Sequence, residues 1–211
     1  MAAPDPANPE VVYGSARTNV SRYDRRTGQT TLVGPDTSGT LPGGGAMNRN
    51  VRTMPLHFSP VDSVTLYYAS NVVWKSIDHG HSWSRISPDL TRQTWAVPAN
   101  TGKYAATVKT GPLGSITALA PSPRAIATLW AGSDDGQIQV TRDGGATWTN
   151  VTPPGIKPWT RIFNLEAGHF DPLVAYAAAN TLRLDEIAPH FYRTHDGGKT
   201  WTEINTGITA D

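Results

Sequence analysis

The chain of 211 residues is long enough for one sizeable core, and its net charge of +1, with both signs interspersed, excludes a nucleic-acid-binding stripe or a basic membrane-binding face. With 20 glycines, 17 prolines, only 17% charged residues and aromatics that lean to Trp and Tyr, the composition is turn-rich and all-β. No apolar run approaches the roughly twenty residues of a membrane span, and the lack of cysteine excludes disulfides and thiolate zinc sites.

Four repeats follow along the chain. The first, residues 1–33, enters at a turn on Pro6 and has a β-type run closed by Tyr13. Only Met1 to Ala3 remain for an inner strand, so this repeat is expected to be incomplete and Met1 need not be the biological start. Its later turn, Tyr23-Asp24-Arg25-Arg26-Thr27-Gly28-Gln29, has an Asp and a displaced Gly but no Trp. The second repeat, 54–86, runs through a strand at Met54 to Phe58, a turn at Pro60, a strand closed by Tyr67, and the octet Ser76-Ile77-Asp78-His79-Gly80-His81-Ser82-Trp83. The third, 115–152, offers Ile116 to Ala120, a turn at Pro123, a strand around Trp130, and Thr141-Arg142-Asp143-Gly144-Gly145-Ala146-Thr147-Trp148. The fourth, 160–205, offers Ile162 to Glu166, a turn at His169, a strand around Tyr176, and Thr194-His195-Asp196-Gly197-Gly198-Lys199-Thr200-Trp201.

The octets explain the organisation. An Asp side chain accepts hydrogen bonds from N–H groups a few residues on, Gly supplies the positive φ of a tight turn, and the Trp returns over the turn with a large apolar ring. Asp78, Gly80 and Trp83 are the structural residues of one turn, Asp143, Gly145 and Trp148 of the next, Asp196, Gly198 and Trp201 of the last. From Asp24 the turn aspartates are spaced by 54, 65 and 53 residues, each step holding strand, Pro turn, strand, loop, strand, Asp turn, strand. Four-stranded antiparallel meanders at that period predict a partial all-β propeller of about four blades. No 3.6-residue periodicity competes with it.

The Asp turn resembles the Asp-box, or bacterial neuraminidase repeat, of sialidases, xyloglucanase-type glycoside hydrolases and sortilin-type propellers. Segments such as His57-Phe58-Ser59-Pro60, Trp83 to Arg92 and Leu129 to Gly136 are similar to large exported bacterial proteins with sortilin-like repeats, often labelled glycosyl hydrolases. The resemblance implies a piece of a longer exported chain, extracellular or periplasmic, whose export signal lies outside these residues.

Alternating hairpins put the Pro and Asp turns at one end of every blade and the variable connections at the other, where binding residues are expected. The candidates there are Arg52, Trp95, Tyr104, Trp159, Arg161, Asp185 and Glu186. The longest connection, Ser87 to Gly114, holds Asp89, Arg92, Trp95, Lys103 and Tyr104, a mixture that reads first as a surface loop packed on its neighbour and second as suited to a sugar or to a partner's side chain. A sialidase needs three carboxylate-gripping arginines and a Tyr–Glu pair; only Arg52 and Arg161 stand in comparable positions, so no catalytic residue is assigned. Asp134-Asp135-Gly136 reads as a hairpin turn, and the six histidines are scattered, so neither a metal nor a cofactor is assigned. The expected role is a non-catalytic interaction segment. Its partners would be other subunits or the rest of its own chain, reached through exposed blade edges, with glycan as a second class and no nucleic acid. The alternative is a fragment of a carbohydrate-active hydrolase whose acid and base lie elsewhere.

Overall fold

The computed structural model describes residues 1–15, 19–41, 48–97, 99–107 and 110–209. They form four antiparallel sheets of four strands, each a meander in chain order. The first holds β1 (Ala2–Pro4), β2 (Val11–Ser15), β3 (Val20–Asp24) and β4 (Gln29–Leu32). The second holds β5 (Leu56–Phe58), β6 (Leu66–Ala69), β7 (Val73–Ser76) and β8 (Ser84–Arg85). The third holds β9 (Ile116–Pro121), β10 (Leu129–Ser133), β11 (Ile138–Thr141) and β12 (Thr149–Asn150). The fourth holds β13 (Arg161–Ala167), β14 (Ala175–Asn180), β15 (His190–Thr194) and β16 (Thr202–Glu203). The only helical pieces among the described residues are 3₁₀ stretches at Ala99–Thr107 and Leu182–Leu184, and neither is long and apolar enough to cross a membrane.

The first sheet corrects an expectation, because it has its inner strand. Ala2, Ala3 and Pro4 pair with Gly14, Tyr13 and Val12, and the Met1 amine donates to the Ser15 carbonyl at 3.1 Å. Three residues suffice because the partner strand fixes the register.

The core lies between the sheets rather than within any one of them. One buried cluster joins the first sheet to the second (Tyr13, Val20, Leu66, Tyr68), one the second to the third (Tyr67, Val73, Leu129, Ala131), and one the third to the fourth (Trp130, Ile138, Ile162, Ala177). Among the described residues none joins the fourth sheet to the first, so the four blades form an open arc. This explains the sequence pattern: β6 and β10, covered on both faces, are apolar without alternation, whereas β14 alternates with Ala175, Ala177 and Ala179 inside and Tyr176 outside.

The three Asp turns are closed identically. Ser76 Oγ donates to Asp78 Oδ1 and accepts the Gly80 N–H, both at 2.8 Å, while Asp78 accepts the Ser82 N–H at 2.8 Å and the Ser82 hydroxyl at 2.6 Å. Thr141, Asp143, Gly145 and Thr147 repeat the set, as do Thr194, Asp196, Gly198 and Thr200. In the first sheet's turn the Asp24 carboxylate accepts the Arg26 and Thr27 N–H groups, and the Asp24 carbonyl accepts the Gly28 N–H at 2.8 Å.

The tryptophans reach beyond their own turns. The indole N–H of Trp83 donates to the Val33 carbonyl at 2.6 Å, that of Trp148 to Ile86 at 2.8 Å, and that of Trp201 to Val151 at 2.6 Å. Each acceptor directly follows the outer strand of the preceding sheet, so each turn latches its sheet to the one before.

The hydroxyl bonds from Ser82, Thr147 and Thr200, followed by the backbone bonds from the same residues, hold the Asp78, Asp143 and Asp196 carboxyls down at about 2. A group depressed on folding stabilises fully above its unfolded pKa, near 4, and that contribution is lost as pH falls through the folded value. The urea midpoint is therefore expected to drop between about pH 4 and 2, and Asp143→Asn to make the drop shallower; an unchanged slope would contradict this.

Candidate functional site

The two ends of the arc differ in chemistry. At the Asp-turn end, Tyr13 donates its hydroxyl to the His79 carbonyl at 2.8 Å, and His79 Nδ1 lies 3.1 Å from Asp5 Oδ2. His79, with a φ of 56°, is thus an inter-sheet contact.

At the opposite end, hairpins and sheet-to-sheet connections form a polar network. Arg49, ahead of the second sheet, donates from Nη2 to Asp89 Oδ2 at 2.6 Å and to Thr91 Oγ1 at 2.8 Å, and from Nε to the Gly114 carbonyl at 3.1 Å. Asn71, in the β6–β7 hairpin, accepts the Arg49 N–H at 2.8 Å and donates to Asp89 at 3.2 Å. In the β10–β11 hairpin, Asp135 accepts the Arg92 N–H at 2.8 Å and the Ser133 hydroxyl at 2.5 Å. Burial pushes the Asp135 carboxyl up, against the lowering pull of those donors. Asp134 accepts the Ser115 N–H at 2.8 Å and pairs with Arg183 at 3.0 Å.

The ion pairs differ in shielding. Arg49 and Asp89 expose 15% and 10% of their side chains, whereas Arg183 exposes 46%. Arg49→Met is expected to cost about 3 kcal/mol, because it leaves Asp89 buried with less compensation. Arg183→Met is expected to cost under about 1 kcal/mol. Thermal denaturation of the two variants checks the ranking, and equal losses would refute it.

The predicted binding residues are only partly brought together. Trp95 is buried and stacks on Trp159, with centroids 3.8 Å apart and planes at 17°, so each indole covers a face of the other. The Arg92 guanidinium lies 5.6 Å from the Trp95 ring. Trp159 has a φ of 71°, and Arg161, which opens β13, places its guanidinium 5.5 Å from the Phe163 ring. Arg52 is exposed just before β5. Asp185 is exposed and caps the 3₁₀ turn in the left-handed region, while Glu186 pairs with His190 at 3.1 Å. The two carboxylates serve separate local structures rather than facing each other. The side chain of Tyr104 lies outside the described residues. Among the described residues no group of three or more His, Asp or Glu is placed to hold a metal ion.

Sequence reasoning missed Arg49 and Arg183. Their partners are 40 and 49 residues away, with no local motif to announce them. Asp89 and Arg92 bind the chain itself, in keeping with the reading of their connection as a surface loop packed on its neighbour and not as a ligand-binding mixture.

No protein-family model matches the chain. A xyloglucanase from Paenibacillus sp is 30% identical over 186 residues, which cover 74% of this chain and 16% of that protein. Among solved structures, an ancestral GH74 enzyme superposes with a TM-score of 0.59 at 16% identity, covering 97% of this chain and 23% of that one. The GH74 enzyme of Niastella koreensis gives 0.54 at 19% identity, covering 96% and 29%. The Dos1 propeller gives 0.57 at 14% identity, covering 97% and 48%. The fold is a β-propeller, and the chain is related to the propellers of glycosyl hydrolases while spanning a small part of the length of the xyloglucanase it matches.

Proposed function

We propose that the chain is a non-catalytic, Asp-box-type propeller segment of a larger exported bacterial protein, engaging protein or glycan through its loop-rich end and its open blade faces. One observation carries this reading. Among the described carboxylates at the loop end, Asp89, Asp134 and Asp135 are engaged by Arg, Asn, Ser or backbone donors of the same chain and Glu186 pairs with His190, which leaves Asp185 as the exposed one. Glycoside hydrolysis needs two carboxyl groups roughly 5 to 10 Å apart across the scissile bond. The mutual stacking of Trp95 and Trp159 favours protein over glycan, because it leaves less aromatic surface for a sugar. The relationship to a xyloglucanase supports the second reading, a hydrolase segment whose acid and base belong to another part of the protein.

The test is incubation of the 211-residue chain with xyloglucan and a panel of polysaccharides, alongside glycan binding. No turnover is expected. Turnover abolished by Asp185→Asn or Glu186→Gln, with the circular dichroism spectrum unchanged, would overturn the non-catalytic reading.

A further inference from the structure

Each of the first three sheets presents the same socket to the sheet that follows. Its floor has an aromatic on the second strand (Tyr13, Tyr67, Trp130) and an apolar residue on the third (Val20, Val73, Ile138). Its rim is an apolar residue just past the fourth strand (Val33, Ile86, Val151). The rim N–H donates to the third-strand carbonyl at 2.9 Å in all three cases. The next sheet's Asp turn closes the socket, with its Trp donating to the rim carbonyl and its positive-φ Gly passing over the rim side chain.

The fourth sheet carries the same socket, and no described residue fills it. Tyr176 and Phe191 occupy the floor positions, and the Ile204 N–H donates to the Phe191 carbonyl at 2.8 Å. The three filled sockets leave their floor aromatics at 0%, 3% and 0% exposure and their floor aliphatics at 0%, whereas Tyr176 is 41% and Phe191 39% exposed. Tyr176, Ala178, Phe191 and Ile204 line a groove on this face. No hydrogen bond reaches the Ile204 carbonyl among the described residues.

We infer that this face receives a further four-stranded sheet whose Asp turn supplies a glycine over Ile204 and an indole N–H to the Ile204 carbonyl. A second copy of this chain does not meet the requirement. Its Trp-bearing turns are already seated in its own sockets, and the turn at Asp24 has no Trp. The occupant is therefore a propeller blade from outside these 211 residues that carries Asp, Gly and Trp at the spacing of Asp196, Gly198 and Trp201. This inference deepens the interaction-segment reading and rests on it, but its test contains no activity measurement, so the two can fail separately.

The experiment extends the full chain beyond Asp211 with a duplicate of residues 160–205 and follows Tyr176 and Phe191 by hydroxyl-radical footprinting. Burial to the level of the filled sockets predicts about tenfold protection of both side chains. The protection should be lost when the duplicate's counterpart of Trp201 is changed to Phe and that of Gly198 to Val. Equal protection by native and altered duplicates, or none from a duplicate whose circular dichroism shows it folded, would overturn the inference. So would protection of the unextended chain that rises with its concentration. A second arm does not depend on the duplicate folding. In the unextended chain Phe191→Ser should leave Tm within about 2 °C, whereas Ile138→Ser at the equivalent filled position should lower it by about 10 °C or more. Equal losses would mean the fourth socket is already filled, and would overturn the inference.

Discussion

Gly145→Ala is expected to lower the unfolding free energy by about 2–5 kcal/mol, whereas Gly144→Ala, one residue earlier, should cost only about 1–2 kcal/mol. Both glycines have positive φ, 103° and 74°, so both substitutions carry the backbone penalty of an L-residue in that region. They differ in surroundings. A Cβ on Gly144 would meet nothing within 4 Å, while one on Gly145 would sit 2.5 Å from the Ile86 carbonyl oxygen and 2.7 Å from its Cβ. Main chain of the preceding sheet cannot step aside as a flexible side chain would, so the second and third sheets must part. Urea denaturation of the two variants isolates that junction; equal losses would mean that the turn, and not the sheet-to-sheet approach, requires the glycine.

Trp130→Ala is expected to cost about 3–5 kcal/mol, the range for emptying a fully enclosed aromatic site. Trp130 is 0% exposed and meets Trp201 edge to face, with centroids 6.0 Å apart at 79°. Its removal strips packing from the indole that latches the fourth sheet. The Trp130 indole N–H has no hydrogen-bond partner among the described residues, so Trp130→Phe loses volume but no bond and should cost about 1–2 kcal/mol. Trp201→Phe also gives up the bond to the Val151 carbonyl, worth roughly a further 1 kcal/mol. A Trp130→Ala variant as stable as Trp130→Phe would show that the third and fourth sheets are not held together at this ring.

The architecture was legible because its markers are local. Asp, Gly and Trp within eight residues define a turn through bonds that span four positions at most, and the spacing between turns counts the sheets. What was not legible is contact between turns and neighbouring sheets. Nothing near Trp148 in sequence points to the Ile86 carbonyl, 62 residues back. Trp95 and Trp159 illustrate the limit at the loop end, because two exposed-looking aromatics in separate connections read as ligand platforms until the fold sets one on the other. Met1 to Ala3 read as too little for an inner strand for a related reason, since the pairing of Ala2–Pro4 is imposed by Val12, Tyr13 and Gly14 and not by its own composition.

The indole latches all point the same way, each carried by the later sheet and received by the earlier one. Peeling off either terminal meander breaks one bolt and leaves the other two fastened, whereas freeing an inner meander breaks two, so loosening should advance stepwise from the ends of the arc, one vane at a time.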